Sequence, residues 1–191
     1  IAEFIPSGPF RCRCGATIDH LGICKGCANA LLREEVAERR SERLRRAIPP
    51  IHRWATIAKV VDAGHVTKAT AIRVRDWIDI IHAGPRPRAL LIRGDTHVNK
   101  SALACAVLAE EIALDRDAMF IGAHAFAPEA ETADRETAFH WGRRPELVCI
   151  DDLASVLGGA PAASDIASRR AAGLLSVIRD RHNRRLRTIY T

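Results

Sequence analysis

Residues 88–101, Arg-Ala-Leu-Leu-Ile-Arg-Gly-Asp-Thr-His-Val-Asn-Lys-Ser, decide the fold of this 191-residue chain. The apolar run predicts a short strand, and the residues after it nearly match the phosphate-binding pattern of glycine, four residues, glycine, lysine and serine or threonine. Gly94, Lys100 and Ser101 occupy their expected positions. Asn99 replaces the second glycine, and His97 stands where many such loops have a third. The segment therefore predicts a nucleotide site with an altered loop.

Phosphate chemistry gives each loop residue a role. Backbone N–H groups of the loop and of the next helix would face the phosphates. Lys100 would contact the β- and γ-phosphates, and Ser101 would bind Mg²⁺. Asparagine tolerates the positive φ that glycine normally supplies, so we expect ATP to bind, more weakly than with an intact glycine loop. The alternative is a chance turn between a strand and a helix. The predicted nucleotide-binding residues of the loop are Gly94, Asp95, Thr96, His97, Val98, Asn99, Lys100 and Ser101.

A second motif follows about 50 residues later, as expected for nucleotide-binding α/β proteins. Residues 147–150, Leu-Val-Cys-Ile, predict a buried strand that ends in Asp151 and Asp152. Ligands of α/β proteins bind at such strand ends. Asp151 would hold Mg²⁺ directly or through water, and Asp152 would orient the attacking water as the catalytic residue. The alternative is a strand-end turn or a helix cap.

Composition narrows the class of protein. Hydrophobic residues make up 48% of the chain and charged residues 27%, which is typical of a soluble globular protein. No run of 18 apolar residues occurs, so we expect no membrane partner. The net charge of +6 favours an anionic partner such as nucleic acid. No signal peptide is visible, and the start at Ile1 indicates a piece of a longer protein.

Four of the six cysteines cluster as Cys12-x-Cys14, nine residues, then Cys24-x-x-Cys27. Four thiolates at this spacing suit tetrahedral Zn²⁺, which would hold together a segment too short for its own core. His20 lies inside the loop and either replaces one ligand or is solvated. Disulfides are the alternative, but the nucleotide motifs indicate a reducing, cytoplasmic location. The isolated Cys105 and Cys149 are predicted to be small core residues.

Helical patterns surround these motifs. Residues 28–47 predict a charged helix whose arginine-rich end either contacts nucleic acid or a partner, or forms a solvated face. Residues 67–83 predict an amphipathic helix, and residues 101–114 a buried one. Residues 118–122 predict a strand. The apolar face expected of the second helix comprises Val74, Trp77, Ile78 and Ile81.

The second half of the chain is richer in arginine. Within residues 123–145, Phe126, Phe139, Trp141 and two arginines either bind single-stranded nucleic acid or pack a peripheral helix. Ser164 is predicted to cap the next helix after the Gly158-Gly159 loop. Seven arginines fall between residues 169 and 187, and we expect them on a solvated or DNA-facing surface.

Taken in order, these motifs resemble the bacterial DnaC/DnaI-type helicase loaders and the related IstB transposition helpers, which are AAA+ ATPases. The resemblance covers most of the chain and rests mainly on residues 94–101, the Ile-Asp-Asp-Leu of 150–153 and the Thr-Ile-Tyr-Thr of 188–191. It implies an α/β fold, a P-loop AAA+ three-layer α/β/α core, preceded by a small zinc-ribbon-like segment. The implied divisions are residues 1–29, a helical linker at 30–50 and the ATPase core at 51–191.

The resemblance also implies a role. A helicase-loader-like ATPase in DNA replication is expected; the alternatives are an IstB-like transposition helper and a non-hydrolysing, zinc-stabilised adaptor. The implied partners are a replicative helicase or a transposase, single- or double-stranded DNA and, at full length, further copies of the chain.

The resemblance makes two further statements about the core. The strand at 188–191 lies between the loop strand and the strand that ends in Asp151. The γ-phosphate sensor, arginine finger, fifth strand and lid of the family would follow Thr191. The chain alone is therefore expected to hydrolyse almost no ATP, and the strand at 89–92 to expose an edge prone to association.

Overall fold

A computed structural model of the chain describes residues 10–18, 22–84, 89–95, 98–126, 132–157 and 165–191. It contains two compact units, Ile1–Glu42 and Arg43–Thr191. No helix in these described ranges is both long and apolar enough to cross a membrane. The predicted cap at Ser164, His20 and the 158–161 loop lie outside the described residues.

The first unit contains a short antiparallel hairpin and most of a long helix. Strands β1 (Phe10–Arg11) and β2 (Thr17–Ile18) pair with each other, and helix α1 (Lys25–Ala47) begins after them. Arg39 forms an ion pair with Glu35 one turn earlier on α1, as the i,i+4 spacing predicts. This charged helix begins three residues earlier than the sequence pattern indicated.

The second unit contains the remaining elements. They include two short 3₁₀ helices, Pro50–His52 and Ala123–Phe126. Its strands are β3 (Ala89–Leu91), β4 (Ala118–Gly122), β5 (Leu147–Asp151) and β6 (Arg187–Tyr190). Its helices are α2 (Ile57–Asp62), α3 (Lys68–Ala83), α4 (Lys100–Ala113), α5 (Thr132–Arg143), α6 (Leu153–Leu157) and α7 (Asp165–Asn183).

The four strands form one parallel sheet in the order β3-β6-β5-β4. Strand β6 therefore lies between β3 and β5, which confirms the order that the family resemblance implied. All carboxyl ends of a parallel sheet meet at one edge, so the loop after β3, Asp151 at the end of β5 and Thr191 after β6 are brought together. Among the described strands β3 forms one edge of the sheet, and its Leu91 side chain is 58% exposed.

Helices cover both faces of the sheet, which gives the three-layer α/β/α architecture. Strand side chains alternate, so Leu147 and Cys149 point to one face and Val148 and Ile150 to the other. Helices α2, α3 and α4 fill the first face, and α5 and α7 the second. Cys105 and Cys149 are fully buried, as predicted. The four predicted α3 residues, Val74, Trp77, Ile78 and Ile81, are buried as well.

Three aromatic residues of the 123–143 region, Phe126, Phe139 and Trp141, pack against the core on the second face of the sheet. Phe126 is buried, and its ring meets that of Phe139 edge to face, with ring centroids 5.5 Å apart. The Arg143 guanidinium lies over the Phe139 ring at 5.7 Å. Packing of a peripheral helix is therefore what these residues do here, and the nucleic-acid alternative for Phe126 loses its basis.

Three arginines depart from the solvated surface predicted for them. Arg181 is completely buried. Arg187 is half-buried and pairs with Glu111 at 3.3 Å. Arg43, in the arginine-rich end of α1, pairs with Asp115 and donates to the Arg116 carbonyl at 2.6 Å. The predicted charged faces are thus smaller than the arginine count suggested, because a guanidinium can satisfy several carbonyls at once.

Candidate nucleotide and metal sites

The backbone of the loop takes the shape that its altered sequence permits. Asn99 has φ 50° and ψ 39°, the left-handed conformation expected where the pattern has glycine. Glycine is favoured at position 94 for a steric reason, because a Cβ there would lie 2.9 Å from Val98 Cγ2. Thr96 and His97 lie outside the described residues. The loop thus ends in a left-handed turn that starts helix α4 at Lys100.

The Lys100 side chain folds back over its own loop. Its Nζ donates hydrogen bonds to the carbonyl oxygens of Gly94 at 3.0 Å and Asp95 at 2.8 Å. The ammonium is therefore positioned at the loop and the helix N-terminus, where N–H groups and the helix dipole favour anions. An incoming phosphate would replace these two carbonyl oxygens as its partner.

Ser101 and Asp151 meet, although 50 residues separate them in the chain. The Ser101 Oγ donates to Asp151 Oδ1 at 2.7 Å. The hydroxyl starts the buried helix α4, and the carboxylate ends strand β5. Hydroxyl and carboxylate oxygens are hard ligands of the kind that Mg²⁺ takes, together with phosphate oxygens. The pair therefore fits a magnesium ion, which these two residues would hold.

Asp152, the predicted water-orienting residue, is exposed and lies directly after β5. Its backbone is left-handed, with φ 57°. Its carbonyl accepts a hydrogen bond from Ser155 Oγ at 2.8 Å, and its N–H donates to Thr191 Oγ1 at 3.1 Å. The carboxylate of Asp152 is thus presented at the same sheet edge as Asp151, with its backbone held on both sides.

Thr191 is a member of this constellation that residue patterns did not single out. Its hydroxyl donates to Asp151 Oδ1 in addition to accepting from Asp152. Its place in the predicted strand order is the feature of the sequence that could have indicated it. A threonine at the carboxyl end of a strand predicted beside β5 must lie near the Asp151 carboxylate.

The four clustered cysteines converge in the first unit. Their sulfur atoms all lie within 4.8 Å of one another. Cys12 and Cys14 occupy the turn of the hairpin, Cys24 immediately precedes α1, and Cys27 lies in its first turn. Tetrahedral zinc with bonds of about 2.3 Å needs sulfur atoms roughly 3.8 Å apart, so small side-chain adjustments suffice. The four cysteines that the sequence predicts as zinc ligands are therefore also close to one another in the structure.

Backbone N–H groups point at these sulfur atoms. The Cys24 N–H donates to Cys12 Sγ at 3.2 Å, and the Cys27 N–H donates to Cys24 Sγ at 3.4 Å. The Cys24 N–H, with that of Cys14, lowers the pKa of Cys12 to about 6. The pKa of Cys27 is raised to about 12, mainly by its hydrogen bond with Cys14. Cys12 thus favours the thiolate, whereas Cys27 favours the protonated thiol. A metal ion that binds these sulfur atoms would displace the protons that they share.

All six cysteines are free thiols. The disulfide alternative for the cluster therefore has no support in the structure. The donor set, four sulfurs without a carboxylate, fits zinc better than magnesium or calcium.

No model of a known protein family matches the chain, and no curated protein matches it. Solved structures do. Replication initiator DnaA bound to AMPPCP and single-stranded DNA is 13% identical, with a TM-score of 0.54, over 75% of this chain and 42% of that chain. A DNA replication initiation factor is 11% identical, with a TM-score of 0.55, over 75% of this chain and 41% of that one. AMPPCP-bound DnaA from Aquifex aeolicus is 12% identical, with a TM-score of 0.53, over 75% and 42%.

At this level of identity the likeness establishes the fold alone. The chain spans about two fifths of the length of these structures. The sheet, its parallel order and the helices on both faces match the α/β fold of these structures, which is the fold class that the sequence resemblance implied. The likeness does not extend to the helicase-loader or IstB branch in particular.

Proposed function

We propose that this chain is an AAA+ protein that binds Mg²⁺–ATP between the 94–101 loop and the end of β5. The observation that carries the proposal is the hydrogen bond of 2.7 Å between Ser101 and Asp151. It joins a hydroxyl from the loop motif to a carboxylate from the strand motif, which were predicted separately. The left-handed Asn99 and the positioned Lys100 support the same assignment.

Nucleotide binding is tested by calorimetry with ATP and Mg²⁺. Lys100→Ala removes the only ammonium at the loop among the described residues and should abolish measurable binding, because the phosphates lose their counter-charge. Asn99→Gly should tighten binding a few-fold, because the loop backbone can then approach the ligand closely. Lys68→Ala, an exposed lysine at the start of α3, is the matched control and should bind like the wild type. Unchanged binding in Lys100→Ala would contradict the phosphate-loop assignment.

We further propose that the chain acts in DNA replication in the manner of a helicase loader, with a replicative helicase as protein partner. The support is the motif order and the fold, together with two structural neighbours: a replication initiator bound to single-stranded DNA and a DNA replication initiation factor. The net charge of +6 favours DNA as a second partner. Anisotropy of a labelled single strand should show binding that weakens as salt rises. An IstB-like role with a transposase is the alternative, and neighbouring genes separate the two.

A non-hydrolysing adaptor is the remaining candidate, and one observation favours it. His97 and Asn99 replace two glycines of the phosphate-binding pattern, as expected of a loop that no longer supports ATP turnover. As an adaptor, the chain would hydrolyse no ATP, whether or not it binds the nucleotide. The zinc segment would then contact the partner. Because residues 1–191 alone are expected to hydrolyse almost no ATP, phosphate release is measured on a chain extended beyond residue 191, under saturating Mg²⁺–ATP. Turnover that disappears in Asp152→Asn indicates the ATPase, and its absence in the extended chain indicates the adaptor.

We also propose that Cys12, Cys14, Cys24 and Cys27 hold one Zn²⁺ per chain. The mutual approach of their sulfur atoms supports this assignment. Elemental analysis of protein purified without chelator should find about one zinc per chain. Cys24→Ser should lower that content strongly, whereas Cys105→Ala, which alters a buried thiol outside the cluster, should leave it unchanged. Equal zinc in both variants would refute the ligand set.

A further inference from the structure

Thr191 is tied to the segment 150–153 by four hydrogen bonds. Its N–H donates to the Ile150 carbonyl at 3.2 Å, and its carbonyl accepts from the Leu153 N–H at 3.1 Å. Its hydroxyl accepts from the Asp152 N–H at 3.1 Å and contacts Asp151 Oδ1. The end of β6 is thereby fixed against both acids that follow strand β5.

The direction of the hydroxyl follows from its partners. A threonine hydroxyl has one proton, and an ionised carboxylate can only accept. The proton therefore goes to Asp151, while a lone pair receives the Asp152 N–H. Ser101 donates to the same oxygen at 2.7 Å. Asp151 Oδ1 thus accepts two hydroxyl protons, one from helix α4 and one from the end of β6.

The neighbouring Asp152 needs such support. It is a non-glycine residue with φ 57°, a backbone conformation that side chains disfavour. Strained backbone of this kind persists only where the surrounding structure holds it. Thr191 holds its N–H, and Ser155 holds its carbonyl. One hydroxyl therefore fixes both the carboxylate of Asp151 and the backbone of Asp152.

We propose that Thr191 is a positioning residue for the magnesium ion of the nucleotide site, acting through Asp151. This inference rests on the proposed Mg²⁺–ATP binding. Groups that hydrogen-bond a metal-binding carboxylate orient it and raise metal affinity, and their loss costs roughly 10- to 100-fold in that affinity. Within the described residues, the hydrogen bonds of Thr191 go to residues 150–153, so we expect its contribution to be confined to binding that depends on the metal.

The test measures ATP affinity with Mg²⁺ and with EDTA for the wild type, Thr191→Val and Thr191→Ser. Valine keeps the shape and removes the hydroxyl, whereas serine keeps the hydroxyl. Thr191→Val should bind Mg²⁺–ATP at least about tenfold more weakly than the wild type, with affinity in EDTA unchanged. Thr191→Ser should stay within about threefold of the wild type. Thr70→Val, an exposed threonine on α3, is the control and should change neither value.

Each other outcome overturns a distinct statement. If the wild type binds Mg²⁺–ATP and Thr191→Val binds it equally well, the positioning role is wrong while the proposed nucleotide site stands. An equal loss in Mg²⁺ and in EDTA, or a serine variant as weak as the valine variant, also overturns the positioning role. If the wild type binds no ATP under either condition, the proposed function itself fails. Should Thr191→Val not fold, Thr191→Ala replaces it with the same expected metal-specific loss.

Discussion

Replacing Arg181 should be among the most damaging single substitutions in the second unit. The side chain is completely buried in α7. It donates to Thr188 Oγ1 at 3.0 Å and to the carbonyl oxygens of Gly142 at 2.9 Å and Pro145 at 3.0 Å. It also donates to the carbonyls of Glu146 and Arg187. One guanidinium thus connects α7 with the approach to β5 and the start of β6.

The size of the effect follows from these contacts. Burial lowers the pKa of Arg181 to about 10, so the charge is costly to bury and its hydrogen bonds must offset that cost. Arg181→Met keeps most of the apolar stem but leaves several buried carbonyls without their donor. Losses of this kind amount to about 3–5 kcal/mol of unfolding free energy. In a unit of about 150 residues that lowers Tm by roughly 6–20 °C.

Urea and thermal unfolding followed by circular dichroism measure this difference. Arg179→Met is the matched control, since Arg179 is an exposed arginine two residues earlier on the same helix. It should change the unfolding free energy by less than about 0.5 kcal/mol. Arg181→Lys should fall between the two, because one ammonium has three donors where the guanidinium has five. Equal stabilities of Arg181→Met and Arg179→Met would refute the argument that the buried guanidinium holds these elements together.

Two further predictions concern packing and buried charge. Gly173→Ala should destabilise the protein by about 1–3 kcal/mol in urea unfolding, because the added Cβ would lie 2.9 Å from Phe139 Cζ and 3.1 Å from the Phe126 carbonyl oxygen; stability equal to the wild type would show that α7 can shift freely. Glu111→Gln should cost about 2–4 kcal/mol, since the buried carboxylate contacts three basic side chains, whereas Glu110→Gln, which loses only a surface pair with Arg75, should cost less than about 1 kcal/mol. Similar costs for the two glutamates would contradict the role given to burial. The three partners of Glu111 are His82, Arg116 and Arg187.

Most of the secondary structure was predictable because it follows from local patterns. Strand β4 matches the sequence prediction residue for residue, and β5 extends the predicted apolar run 147–150 by one residue, Asp151. The predicted helix at 67–83 differs from α3 by one residue. The short helices α2 and α6 and both 3₁₀ turns were not predicted. Each spans six residues or fewer, too few to show a helical period.

The burial of individual arginines could not be predicted from the sequence. A run rich in arginine is usually a solvated face, and nothing local distinguishes Arg181 from Arg179. The difference arises because one side of α7 faces carbonyl groups around residues 142–146, which are almost 40 positions away in the chain. Burial of a charge depends on such distant acceptors, so no local pattern reveals it.

The sequence by itself determined which groups are available for the proposed nucleotide and zinc sites. A glycine-lysine-serine loop can follow a strand, two acids can end another, and four cysteines can share a metal, because those properties belong to residue types and short spacings. Only the tertiary structure decided which of these groups meet. The parallel order β3-β6-β5-β4 brings Ser101, Asp151 and Thr191 to one edge of the sheet. Thr191 therefore lies beside the two acids, a position that its residue type alone does not predict. Strand order is set by burial of both sheet faces at once, which is a property of the whole chain.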